Sequence, residues 1–205
     1  MNYYILDVET TGLKVSYHEV TQISIIRCSD RHQLNRFIRA EYPRRADSRA
    51  LEATGRKPAD ILVGVGKLEA IEACDTFLLE DGQTPEHRCI IGHNVSFDRR
   101  FVYDLWGSKN KEFPAACWLD TMSCAKQYMT RTLGLEKPKK GLHDALQNCG
   151  LKPRSGAHNA ISDTQNTYIL HDHLLKQGFD FLPHIKRLPQ VVVSDSSSSE
   201  MEEND

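Results

Sequence analysis

No stretch of this 205-residue sequence approaches the roughly 18 consecutive apolar residues that cross a bilayer, which excludes a membrane-spanning protein. The opening MNYYILDVET carries no basic segment ahead of an apolar one, so no secretory signal peptide is expected. The six cysteines, at 28, 74, 89, 117, 124 and 149, form no CxxC pair and keep no regular spacing. That excludes a zinc ribbon and a disulfide-stapled exported scaffold. Reduced, mostly buried thiols in a cytoplasmic protein are expected instead. Internal repeats are absent, and so are basic residues after position 190.

What is present can fill the core of one domain: 40% of residues are apolar and 26% charged. The net charge of −2 hides a split. Residues 191–205 (VVVSDSSSSEMEEND) hold five acids, and the rest of the chain has 26 basic residues against 23 acidic. We therefore expect a domain over 1–188 and a disordered, Ser-rich acidic tail over 189–205. A mildly basic body is compatible with a polyanionic partner without establishing one.

The segment Tyr3–Glu9 is rich in β-formers and ends at Thr10-Thr11-Gly12, which predicts a buried strand and a turn. Residues 20–28 and 34–40 read as two further strands around a Ser29–His32 hairpin loop, an antiparallel opening. Residues 41–60 are polar, with two prolines and several arginines, and read as a loop with at most a short helix. A helix is expected over 67–79, a buried strand over 88–92, and a helix capped by Ser96 running through Phe97, Phe101, Val102 and Leu105. Trp118–Asp120 is a weak strand. Helices follow near 121–131, 142–149 and 159–176, with Gly150 as a helix stop. After Pro183 the pattern dissolves. Strands first, then strands alternating with helices, argue for a mixed α/β sheet with helices on its faces.

Three short segments carry possible chemistry. Asp7 and Glu9 lie two apart on one strand and share a face at its end. Asp98 falls in the first turn of the helix after Gly92-His93-Asn94. Asp163 follows His158 by five residues at the start of the last helix. Each alone has a plain reading: a solvated strand end, an acid favouring a helix dipole, a surface histidine beside a helix acid. Together, four carboxylates from three distant segments suit hard divalent cations such as Mg²⁺. Two such ions about 4 Å apart can activate a water and stabilise a leaving oxygen in phosphodiester hydrolysis. A neutral His158 could take the proton from that water.

The motifs DVETTG at 7–12, GHNVSFD at 92–98 and AHNAISD at 157–163 resemble, in order, those of the DEDDh (DnaQ-like) 3′–5′ exonucleases. That family includes the proofreading epsilon subunit of bacterial DNA polymerase III, RNase T and oligoribonuclease. The resemblance implies an RNase H-like fold with a mixed, roughly five-stranded sheet and helices on both faces. It implies that Asp7, Glu9, Asp98 and Asp163 hold two Mg²⁺ or Mn²⁺ ions and that His158 is the general base. It implies that Thr10 and Leu13 hold the terminal nucleotide and that Asn94 and Phe97 line its pocket. His93, Gln22 and the Trp118–Thr121 segment are expected to be scaffold.

The sequence departs from the family over 53–66, where a His-Gly-Ile pattern is replaced, and over 106–118, which aligns poorly. Arg44, Arg45, Lys137, Lys139 and Lys140 are read as a solvated charge run rather than a phosphate track. The expected partner is the 3′ end of single-stranded DNA, with short RNA as the alternative substrate. A polymerase or other replication or repair protein is a further possible partner, and no polymerase domain fits in 205 residues. A non-cutting module that grips a nucleic-acid end or a polymerase is the rival from another class. The acidic tail could also recruit a basic partner.

Overall fold

The computed structural model describes residues 1–154 and 159–188. Six strands form one sheet in the order β3-β2-β1-β4-β5-β6. β1 (Asn2–Thr10), β2 (Val20–Arg27) and β3 (Gln33–Phe37) make the antiparallel opening that the sequence predicts. β4 (Arg88–Gly92) and β5 (Cys117–Asp120) then add in parallel beside β1. β6 is a two-residue antiparallel edge, Lys186–Arg187, against β5. It makes the strand count six rather than about five. Two exposed charged residues carry no alternation, so no pattern announces it.

Helices cover both faces. α2 (Lys67–Leu79) and α3 (Val95–Gly107) pack on one side, where Tyr4, Leu6 and Val8 of β1 meet Ile71, Phe77, Phe101 and Trp106. α4 (Thr121–Arg131), α5 (Leu142–Asn148) and α6 (Ala160–Lys176) cover the other, where Ile5 and Ile91 meet Met129, Leu146 and Leu170. β1 thus sorts its side chains by the period of two: even positions to the first core, odd positions to the second. Buried polar tips are matched, as when Trp106 Nε1 donates to Asp75 Oδ1 at 2.8 Å.

Two sequence expectations are adjusted and one is filled in. The third strand stops at Phe37, because Ile38 turns to bridge Val65 in the segment after 60. That bridge needs glycine at 64, where φ is +135° and a Cβ would come within 2.5 Å of the Phe37 carbonyl oxygen. The third helix begins at Val95, not after Ser96, because left-handed Asn94 (φ 68°) ends the preceding turn. The 41–60 segment does contain a short helix, α1 (Ser48–Ala53), capped by Asp47 through a bond from the Arg49 amide. The expected tail, 189–205, lies outside the described residues. No described helix is long and apolar enough to cross a membrane.

Candidate active site

The site forms where β1 runs on past the end of its neighbour β4. Asp7 and Glu9 continue the odd-numbered face of β1, so the side chains turn from apolar Ile5 to two acids as the strand reaches its end. Asp163 arrives from the first turn of α6, whose start is fixed by the Asn159 side chain accepting from the Ile161 amide at 3.0 Å.

The next residue on α6 locks that helix to the sheet. The Thr164 hydroxyl lies 3.0 Å from that of Ser24, which stands opposite Asp7 in the β1–β2 ladder. Gln33 Nε2 donates to both hydroxyls, at 2.9 and 3.0 Å, and Thr164 donates to the Ala160 carbonyl. Every polar atom in this buried knot is used, and it sets Asp163 beside β1. As a result, oxygens of Asp7, Glu9 and Asp163 lie within 4.8 Å of one another.

Asp98 comes from the opposite helix layer, in the first turn of α3. It is buried, and its Oδ1 accepts from the Val8 amide at 3.0 Å, between the two β1 acids. The four acids line one cleft of about 310 Å³ together with Thr10, Leu13, Asn94 and Phe97. Every predicted site residue that the structure describes is therefore in the cleft. His158 lies outside the described residues. The sequence reading missed the opposite wall, Ala50 and Ala53 of α1 and its C-cap Thr54. Its one signal was Asp47 ahead of SRALEA, a helix-capping pattern hidden in a polar segment.

Scaffold residues hold the floor. Asp120 Oδ1 accepts from the amides of Asn94 and Met122, both at 2.9 Å, so one carboxylate caps α4 and fixes the turn into α3. His93 also faces the cleft, but its ring is held at both nitrogens, 3.1 Å from the Thr121 hydroxyl and 2.7 Å from the Lys140 carbonyl. Burial lowers its pKa, against the Lys140 carbonyl and Asp120, which favour the charged ring.

Electrostatics sets the cluster apart. Burial pushes the Asp7 carboxyl well above the usual carboxylate range, and Asp98, Glu9 and Asp163 push it further. Glu9 is raised to about 8 by burial, then by Asp163 and Asp98, with Arg56 pulling the other way. Burial also raises Asp98 to about 7, against the Val8 amide, which favours its charged form. Carboxylates held this close and this dry cannot all ionise without a cation. An oxygen-only donor set of this kind fits a hard divalent ion.

A family model described as RNase T, exonuclease, matches residues 4–171, which contain the whole cleft. The chain belongs to the RNase T exonuclease family. Within sequence relatives, a PolC-type DNA polymerase III from Staphylococcus saprophyticus is 25% identical over 175 residues, covering 85% of this chain and 11% of that protein. This family member thus spans about a tenth of the length of such a relative. Its fold is shared with solved exonuclease structures. The nuclease domain of 3′hExo, described as a DEDDh family member and solved with rAMP, superposes with a TM-score of 0.69 at 12% identity, covering 92% of this chain and 96% of that one. E. coli exonuclease I, solved with a dT13 oligonucleotide, gives a TM-score of 0.69 at 18% identity, covering 85% and 41%.

Proposed function

We propose that this family member hydrolyses nucleic acid from the 3′ end and releases nucleoside 5′-monophosphates, with single-stranded DNA preferred. The observation that carries the reading is the close grouping of acids from three distant segments on the floor of an open cleft. Asp7, Glu9 and Asp163, with Asp98 beside them, would hold two Mg²⁺ or Mn²⁺ ions. When bound, such ions make a bound water acidic and neutralise charge on a leaving oxygen.

The chain's own residues do the rest. His158 takes the proton from the attacking water, the work of a base whose unperturbed pKa sits near 6.5. Thr10 offers backbone to the terminal nucleotide, and Leu13, 75% exposed at the cleft edge, offers an apolar surface to its base. Asn94 and Phe97 wall the nucleotide pocket. The likeness to exonuclease I, solved with dT13, favours a single DNA strand. The likeness to 3′hExo, solved with rAMP, favours short RNA as the second reading. Similarity to PolC-type polymerases supports a polymerase or repair protein as a partner.

The test is degradation of 5′-labelled single-stranded DNA, recessed duplex and short RNA, in parallel. We expect a 3′-shortening ladder with Mg²⁺ or Mn²⁺, fastest on the single DNA strand, and none in EDTA. Asp7→Ala and Asp163→Ala should each abolish the ladder. Full activity in chelator, or near-normal turnover by either variant, would remove the acids from the mechanism. Tight binding without cutting would favour the rival, a non-cutting module.

A further inference from the structure

Just outside the cleft, two segments far apart in sequence build a cation cluster that the acid site does not use. The turn between β1 and β2 closes on itself through Thr11 and Glu19: the Thr11 amide donates to the Glu19 carbonyl at 2.8 Å, and the Glu19 amide to the Thr11 hydroxyl at 2.9 Å. The buried Glu19 carboxylate then accepts from the amides of Glu41 and Tyr42, at 3.1 and 2.7 Å, and pairs with Lys67 at 2.9 Å. Farther on, the Asp47 amide donates to the Thr11 carbonyl at 2.7 Å. Segment 41–47 is thus strapped at both ends to the turn that carries Leu13 and Tyr17.

Inside this frame the Arg45 guanidinium lies 4.1 Å from the ring centre of Tyr42 and 5.2 Å from that of Tyr17. Lys14 Nζ stands 5.4 Å from the same Tyr17 ring. Both rings and Arg45 are exposed to solvent. Among the described residues, no carboxylate lies within 4 Å of Arg45, Arg44 or Lys14, whereas Lys67 and Lys109 nearby are paired with Glu19 or Glu41. An arginine in a merely solvated run samples many rotamers. This one lies over two aromatic rings, so less ordering remains when its fork of donors meets a phosphate. Its place matters as well. The turn behind it supplies Leu13 to one cleft wall, and α1, which starts one residue after Asp47, supplies Ala50 and Ala53, with its cap Thr54, to the other.

We propose that Arg45, clasped by Tyr17 and Tyr42 and aided by Lys14, binds a backbone phosphate of the substrate strand upstream of the nucleotide in the cleft. This rests on reading the cleft as the seat of a nucleic-acid 3′ end. It assigns Arg45 to strand binding rather than to the chemistry.

The experiment compares the full chain with Arg45→Gln and Arg45→Lys on two substrates. One is a 5′-labelled dT12 strand, followed by binding anisotropy and by hydrolysis. The other is the p-nitrophenyl ester of thymidine 5′-monophosphate, which has no upstream phosphate. Arg45→Gln should weaken dT12 binding and raise its KM about tenfold, with kcat and ester hydrolysis unchanged. The slope of log affinity against log salt should flatten by about 0.7, the loss of one single-strand phosphate contact. Arg45→Lys should keep the salt slope and recover part of the affinity, having charge without the planar stack. Equal losses on ester and strand, or no loss on the strand, would overturn the proposal. A parent chain that binds dT12 without cutting would sink the exonuclease reading but leave the binding comparison intact. One that neither binds nor cuts would overturn both.

Discussion

The two ends of β1 both hold charge away from water, and they treat it in opposite ways. At the first end, Arg88 is fully buried and its guanidinium donates twice to Asp81 Oδ1, at 2.9 and 2.7 Å. Its remaining donors reach the carbonyls of Pro114 and Gln83, while Asn2 Nδ2 and the Tyr4 hydroxyl donate to Asp81 Oδ2. Burial acts to raise the Asp81 carboxyl, but the Arg88 bonds, the Gln83 amide and these side chains outweigh it and hold it at about 2. At the far end, Asp7, Glu9 and Asp98 are all raised, with Arg56 the opposing cation at Glu9. A charge with its full set of partners is architecture. Like charges packed together, with Arg56 opposing them, form a socket whose donor set fits a cation from outside the fold.

Function should respond most at the acid end. If His158 is the base, His158→Ala lowers turnover by about 10²–10⁴-fold, the usual scale for a positioned acid–base group. Single-turnover rates across pH check it: the parent limb near neutrality should vanish in the variant, and an unchanged profile would exclude His158. Stability should respond most at the other end. Asp81→Asn leaves the Arg88 charge buried with a neutral partner and should cost about 3–5 kcal/mol, the range for breaking a buried pair. Urea unfolding measures it. A loss below about 1 kcal/mol would mean that the pair contributes little beyond its replacement.

A smaller effect, of opposite sign at the two ends, appears with pH. Acids whose folded pKa is raised stabilise the fold fully below their unfolded values near 4, and that contribution is lost as pH climbs through the folded values, about 7 for Asp98 and about 8 for Glu9. In EDTA the chain should therefore lose stability between pH 5 and 8. Asp81, lowered to about 2, contributes above its unfolded value near 4 and loses that contribution as pH falls from about 4 to about 2. Chemical unfolding across pH, with and without Asp163→Asn, separates the two limbs. The variant should flatten only the upper one.

How much of this could be read in advance follows the range over which each signal acts. Asp7 and Glu9 were legible because strand alternation is a property of two neighbouring residues. Helices α2 and α4 start and stop where their apolar spacing ends, at Lys67–Leu79 and Thr121–Arg131. Asp98 and Asp163 fell at helix starts, and only motif order tied them to β1. What stayed hidden depends on contacts made in three dimensions. The Arg45 clasp joins rings 25 positions apart, so the same arginines looked like a solvated run. The Arg88–Asp81 pair was hidden behind an apolar strand that happens to open with arginine. The start of α3 was misplaced because Ser96 is the better cap by composition, while the backbone turn at Asn94 decided.

The most direct measurement is a calorimetric titration of Mn²⁺ into the chelator-stripped chain at pH 8, run beside Asp163→Asn, with thermal unfolding at each endpoint. The socket predicts saturable binding, a rise in melting temperature with Mn²⁺, and loss of both in the variant, whose metal-free form should melt no lower than the parent. Absence of binding by the parent, or equal binding by the variant, would contradict it.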